Sequence, residues 1–147
     1  DLHSFPTRRS SDLYSSSDFG PAHFESLLRR VAEGWNEGDA RKAADCFAVN
    51  AIYIEPPDRQ LYRGREALYE FFGGSSGRAS PMRMTWHHLL FDPIKQIGMG
   101  EYTFAYKGRE THGIVIVQIA EGKIRRWREY QYRSQMTWDD FVGESIF

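Results

Sequence analysis

The chain has 147 residues, 41% of them apolar, with a formal net charge of −1. That suffices for one globular domain with a real core, and scattered Lys and Arg at near-zero net charge leave no nucleic-acid footprint. One cysteine excludes an internal disulfide framework and suits a reducing cytosol, no apolar run approaches membrane-spanning length, and the N-terminus lacks the apolar core of a signal peptide.

His3–Leu13, HSFPTRRSSDL, resembles the frame translation of a common short-read sequencing adapter. Asp1–Leu13 is therefore set apart as an assembly artefact from environmental DNA, expected to be disordered. The alternative is a natural basic, Ser-rich tail. The domain proper is expected over 14–147.

After the loop at Ser15–Pro21, Phe24, Leu27, Leu28, Val31 and Trp35 fall on one helical stripe. Gly38 suits a left-handed cap for that helix. Asp39 caps a second, short helix, Ala40–Phe47, in which Cys46 is expected as a small buried hydrophobe. Ala51–Glu55, AIYIE, alternates as a strand and stops at Pro56-Pro57, with Tyr53 and Glu55 on one face. LYRGREALYEFF runs into a third helix, and Gly73–Ser80 is a flexible connection, either a plain linker or a mobile edge to a pocket.

A β-meander follows. Simple alternation along Met82–Phe91 puts Met82, Met84, Trp86, His88 and Leu90 on one face. Gly98–Lys107 and Glu110–Ala120 form a hairpin about Lys107-Gly108. Lys123–Tyr132 opens after a turn at Glu121-Gly122 and puts Arg125, Trp127, Glu129 and Gln131 on one face. Ser134–Phe147 holds a short helical turn with Trp138 and Phe141, expected as a lid packed on the fold. Helices followed by a long twisted antiparallel sheet define an α+β domain, with three N-terminal helices closing the concave face into a cone-shaped pocket.

A carboxylate beside an indole on one strand face is the strongest chemical signal. If that face is buried, Glu129 must be paired, protonated or functional; otherwise it is a surface Glu paired with a neighbouring Arg. Glu55 either points into the cone as well or faces solvent at the strand end. Two carboxylates in a partly apolar cavity would supply one base and one neutral acid. His88 or Tyr53 could then polarise a substrate oxygen. Trp127, Trp86, Met84, Trp35, Thr103 and Gln131 are the expected pocket wall, although Trp86, Trp127 and the methionines are equally core fillers. Adjacent His87 and His88 point opposite ways on a strand and cannot chelate one metal, so no metal site is expected. No glycine-rich phosphate loop or nucleophile elbow occurs, and no cofactor is expected.

The order helix, helix, AIYIEPP, LYRGREAL and four long strands ending GKIRRWREYQY resembles the nuclear transport factor 2-like superfamily, SnoaL-like branch, over Phe24 to about Phe141. The resemblance implies a curved sheet closed into a cone, a homodimer through the outer sheet face, and a small-molecule pocket. It includes limonene-type epoxide hydrolases, steroid isomerases, dehydratases and polyketide cyclases, beside non-catalytic binding or assembly modules. In the epoxide hydrolases a carboxylate at the position of Glu129, beside a Trp at Trp127, activates water with help from a Tyr matched by Tyr53. Their Asn is replaced here by Glu55. Their Arg-x-Asp falls on Glu101-Tyr102-Thr103, where Arg and Asp are absent. Residues and resemblance together lead to the expectation of a cytoplasmic, bacterial, cofactor-free hydrolase, isomerase or cyclase with Glu129 as base and Tyr53, Glu55 and His88 assisting, or a binding module on the same scaffold.

Overall fold

The computed structural model describes residues 19–56, 60–77 and 82–147. The adapter-like stretch lies outside them, as do 57–59 of the expected turn and 78–80 of the Gly-rich connection. Among the described residues four α-helices and six strands follow in the order α1 (Pro21–Glu37), α2 (Ala40–Ala44), β1 (Phe47–Glu55), β2 (Gln60–Arg63), α3 (Arg65–Phe71), β3 (Met82–Asp92), β4 (Ile97–Tyr106), β5 (Arg109–Ala120), β6 (Lys123–Ser134) and α4 (Trp138–Val142).

The strands form one sheet in the order β2-β1-β6-β5-β4-β3, antiparallel except where β1 runs parallel to β6. The apolar stripe of α1 buries Phe24, Leu28, Val31 and Trp35 against the concave face. Asn36 fastens the end of α1 to the edge strand β3: its Nδ2 donates to the Met84 carbonyl (3.0 Å) and its Oδ1 accepts from the Met84 N–H (2.7 Å). This satisfies backbone groups that an edge strand would otherwise present to another chain. Lys107 and Gly108 turn β4 into β5 with φ of 51° and 70°, the left-handed pair that a two-residue hairpin turn requires.

Three expectations are corrected here. α2 stops at Ala44, so Cys46 lies in a turn and Phe47 opens β1. Cys46 is buried as expected, and burial pushes its thiol up to about 11, which makes it a poor nucleophile. The four-residue β2 was unreadable from local pattern, since only its pairing with β1 defines it. The C-terminal segment packs on the outer face of the sheet rather than over the cone. Trp138 stacks on His87 at 3.6 Å and Phe141 on His112 at 5.0 Å.

Two β-bulges decide which side chains enter the cone. In β3 the register slips between Trp86 and His88, so Trp86 faces Tyr102 and His88 faces Glu101. In β6 it slips between Ile124 and Arg126, leaving Arg125 as the extra residue. One inserted residue inverts the alternation beyond it. Leu89 and Phe91 therefore join the core while Leu90 turns outward, 63% exposed.

Under α4 the outer face carries a polar chain. The His87 Nε2 lies 2.8 Å from Thr103 Oγ1, which lies 2.9 Å from His112 Nδ1, and His112 Nε2 lies 3.1 Å from the Met136 carbonyl. A carbonyl only accepts, so His112 Nε2 carries the proton. Thr103 then donates to Nδ1 and accepts from His87. Burial, followed by the neighbouring His112 and His88, holds His87 below its ordinary pKa, while Asp139 opposes this. A histidine depressed in the folded state contributes stability above its unfolded pKa, near 6.5, that is lost as pH falls toward the folded value. Thermal melts should therefore show the wild-type midpoint falling between pH 7 and 5 by more than that of His87→Gln. Parallel curves would show that His87 does not carry the acid sensitivity.

Candidate functional site

The buried end of the site is built by β1, β4 and β6. Parallel pairing sets Tyr53 beside Trp127, and their rings stack at 5.5 Å and 7°. Beyond the Arg125 bulge, Trp127, Glu129 and Gln131 all point into the cone, and across β5 Gln131 meets Gly113, which meets Tyr102. Glu129 is 8% exposed. Its Oε1 accepts from the Tyr53 hydroxyl (2.7 Å) and the Trp127 indole N–H, and its Oε2 accepts from the Tyr102 hydroxyl (2.6 Å).

All three partners are uncharged donors, and the indole can only donate, so the network is complementary to a carboxylate. Burial nevertheless raises the Glu129 pKa above the ordinary carboxylate range, and the bonds from Tyr102, Tyr53 and Trp127 pull it partly back. Burial and the Glu129 charge push both phenols upward, so each stays protonated as a donor. The Tyr102 oxygen also lies 2.8 Å from the Gln131 amide oxygen. One phenolic proton cannot serve both neighbours; with it committed to Glu129, a Gln131 amide turned by 180° donates its N–H to the phenol. Tyr53 likewise lies 3.3 Å from Glu55 Oε2, linking the second carboxylate to the first through a phenol.

These groups open into a cavity of about 660 Å³, a size that suits a small organic molecule. Glu129, Glu55, Tyr53, Trp35 and Gln131 are on its wall, with Phe71, Phe72 and Phe104 supplying apolar surface. The Trp35 indole N–H is buried without an acceptor among the described residues, and such a group costs about 1–3 kcal/mol.

The structure rearranges several expected roles. His88 is on the outer face, half-buried, 3.8 Å from Glu101 and stacked on Phe147, because the His87 bulge turns it away from the cone. Thr103 is also on the outer face, in the His87–Thr103–His112 chain. Without the β6 bulge, Gln131 would face His112 and hence Thr103; the extra Arg125 puts it opposite Gly113 and Tyr102 instead. Trp86, Trp127 and Met84 do not line the cavity but form the packed layer behind it, with the Trp86 N–H donating to the Leu28 carbonyl at 2.9 Å. Glu129 is tied by tyrosines and tryptophan, not by an arginine.

Tyr102 is the residue that sequence reasoning missed. The signal was an interrupted alternation: apolar Ile124 and Trp127 stand three apart, and Met82, Met84 and Trp86 change phase to Leu89 and Phe91. Among the described residues no group of three His, Cys, Asp or Glu could hold a metal ion, and no helix is long and apolar enough to cross a membrane.

The same architecture recurs in solved structures. A cystatin-like-fold protein from Methylobium petroleophilum is 21% identical, with 81% of this chain and 82% of that chain covered and a TM-score of 0.68. An epoxide hydrolase/cyclase-like enzyme of pyran ring formation in salinomycin, SalBIII, is 18% identical, covering 76% and 92%, with a TM-score of 0.64. An LEH-like epoxide hydrolase of M. tuberculosis is 14% identical, covering 76% and 84%, with a TM-score of 0.62. At such identities these are likenesses of fold. No curated protein matches the chain in sequence. The matching family is the SnoaL-like domain, over residues 28–127, which runs from Leu28 within α1 through both early strands to Trp127 in β6, and by that match the chain belongs to the SnoaL-like domain family.

Proposed function

We propose that the protein is a cofactor-free hydrolase, isomerase or cyclase in which Glu129 is the general base. The observation that carries this reading is a buried carboxylate on a cavity wall, held by three uncharged donors and no cation. A counter-charge would lower its basicity; desolvation raises it toward the working pH. The proton comes from a water molecule attacking the substrate, or from a carbon beside a carbonyl. Tyr53 and Tyr102 orient the carboxylate and follow its charge: as Glu129 is protonated, a phenol released from it can donate to the substrate oxygen that gains negative charge. Glu55, on the wall and next to Tyr53, is the second acid–base group. Solved structures of the same fold named as epoxide hydrolase, cyclase-like enzyme and isomerase support this class of reaction.

A panel of epoxides, β,γ-unsaturated ketones and hydroxy-ketones, tried with wild type and Glu129→Gln, tests the reading. Turnover of one class that is lost in the variant is the expected result; turnover unchanged in Glu129→Gln would sink it. A ligand-binding module without chemistry is the second reading, favoured by the absence of an Arg-x-Asp on β4, and it expects binding without turnover.

We further propose that the active form is a homodimer through the outer sheet face. Leu90, Met99, Ile114 and Tyr130 are exposed there, on adjacent strands β3 to β6, and such an apolar face suits a second copy. Light scattering at micromolar concentration should give twice the chain mass for wild type and a monomer for Ile114→Glu. A monomeric wild type would refute the assignment. The composition and the single buried cysteine are consistent with a cytoplasmic setting.

A further inference from the structure

We propose that the ligand of this cavity is a small organic acid, bound with its carboxylate at the lip and its uncharged, reacting end against Glu129; this rests on the reading of Glu129 as the base. The cavity is electrically polar along its length. On its wall Glu129 is buried and Glu55 half-buried, whereas Lys107, Arg109 and Arg133 are exposed and so mark its lip. The three cations come from both ends of one turn and from the last residues of β6: Lys107 and Arg109 flank the β4–β5 hairpin, and Arg133 pairs in register with Thr111.

Among the described residues none of the three cations forms an ion pair with a carboxylate. Arg29, Arg41 and Lys42 pair with acids, whereas the exposed Arg30, Arg83, Lys95 and Arg128 share the lack of an acid partner; what sets Lys107, Arg109 and Arg133 apart is that all three line one cavity. An unpaired trio around one opening attracts anions and orients them. Two arginines add planar forks suited to a carboxylate. The buried Glu129 carboxylate repels the same anion, which favours the orientation with the acid group at the cations.

Length follows from the strand. Glu129, Gln131 and Arg133 share one face, and four residues of strand span about 13 Å at roughly 3.3 Å each. The acid group and the reacting carbon are thus separated by about that distance, less the reach of the two side chains. The same wall carries the aromatic rings of Phe71, Phe72, Phe104 and Tyr106, so the connecting body is apolar.

The probes are 6-phenylhexanoate and its neutral analogue 6-phenylhexanamide, titrated by calorimetry into the full chain. Wild type should bind the acid about tenfold more tightly than the amide at low ionic strength, with the advantage shrinking in 0.5 M salt. In Arg109→Gln/Arg133→Gln the preference should collapse to near unity. It should persist in Arg29→Gln, whose charge lies on α1 away from the cavity, and in Glu129→Gln. Equal binding of acid and amide, an intact preference in the double variant, or no heat with either probe would overturn the proposal. The two readings separate cleanly. Glu129-dependent turnover of a neutral substrate without acid preference removes only the organic-acid assignment. Acid preference without Glu129-dependent turnover of any acid-bearing or neutral substrate removes the base.

Discussion

Glu129→Gln should raise the melting temperature at pH 8 while reducing turnover by about 10²- to 10⁴-fold, the usual contribution of a positioned general base. Both effects have one cause. Burial raises the Glu129 pKa in the folded state, so between the unfolded carboxylate value and the folded one the native protein binds more protons than the unfolded chain. Its contribution to stability is then fully present below about pH 4.3 and is lost as pH rises through the folded value. A glutamine escapes that loss. Its oxygen can accept from Tyr53 and Trp127, and its N–H₂ can donate to Tyr102, whose proton then passes to Gln131. The stabilisation, roughly 2–4 °C for each kcal/mol of desolvation relieved, should vanish near pH 4. Melts of both proteins from pH 4 to 9 check this, and a variant less stable than wild type at pH 8 would show that the site does not strain against its own charge. In the wild type the rate should rise with the deprotonation of Glu129, at a pH above the ordinary carboxylate range.

Gly113→Ala should be almost as damaging to activity and should also cost stability. A Cβ built there lies 2.6 Å from the Tyr102 hydroxyl and 2.8 Å from the Tyr130 carbonyl. The backbone oxygen cannot give way within the sheet, so Tyr102 must swing out and lose its bond to Glu129 Oε2. Overpacking of this kind costs about 1–3 kcal/mol, and turnover should fall with the lost bond, as it should in Tyr102→Phe. Gly20→Ala is the contrast: nothing lies within 4 Å of its Cβ, so it should leave the rate unchanged, its only cost being the small loss of stability from replacing the N-cap glycine of α1. Denaturation midpoints and initial rates of the three variants decide the point. A Gly113→Ala protein with wild-type rate would mean that Tyr102 does not hold the carboxylate in place.

Much of this protein is legible in its residues alone. The stripe Phe24, Leu28, Val31 and Trp35 is a helix because apolar burial imposes a period of 3.6, and Lys107-Gly108 is a hairpin because its φ values suit glycine and few others. The pairing of Trp127 with Glu129 on one face follows from strand alternation, as does that of Tyr53 with Glu55. From these come the α+β cone, the family and the carboxylate at its centre.

Tertiary structure alone decided which partners that carboxylate has. Alternation is a local rule, and it holds only while two strands keep one register. The extra residue Arg125 slides β6 against β5 by one position, which replaces Thr103 by Tyr102 beside Gln131. The extra residue His87 turns His88 outward and brings Leu89 and Phe91 into the core. Whether a strand absorbs an extra residue depends on what its neighbour buries: Ile124 and Trp127 are both fully packed only if Arg125 is passed over. That choice is made by contacts between segments distant in the chain, where the energy of burying an indole exceeds the cost of one broken ladder step.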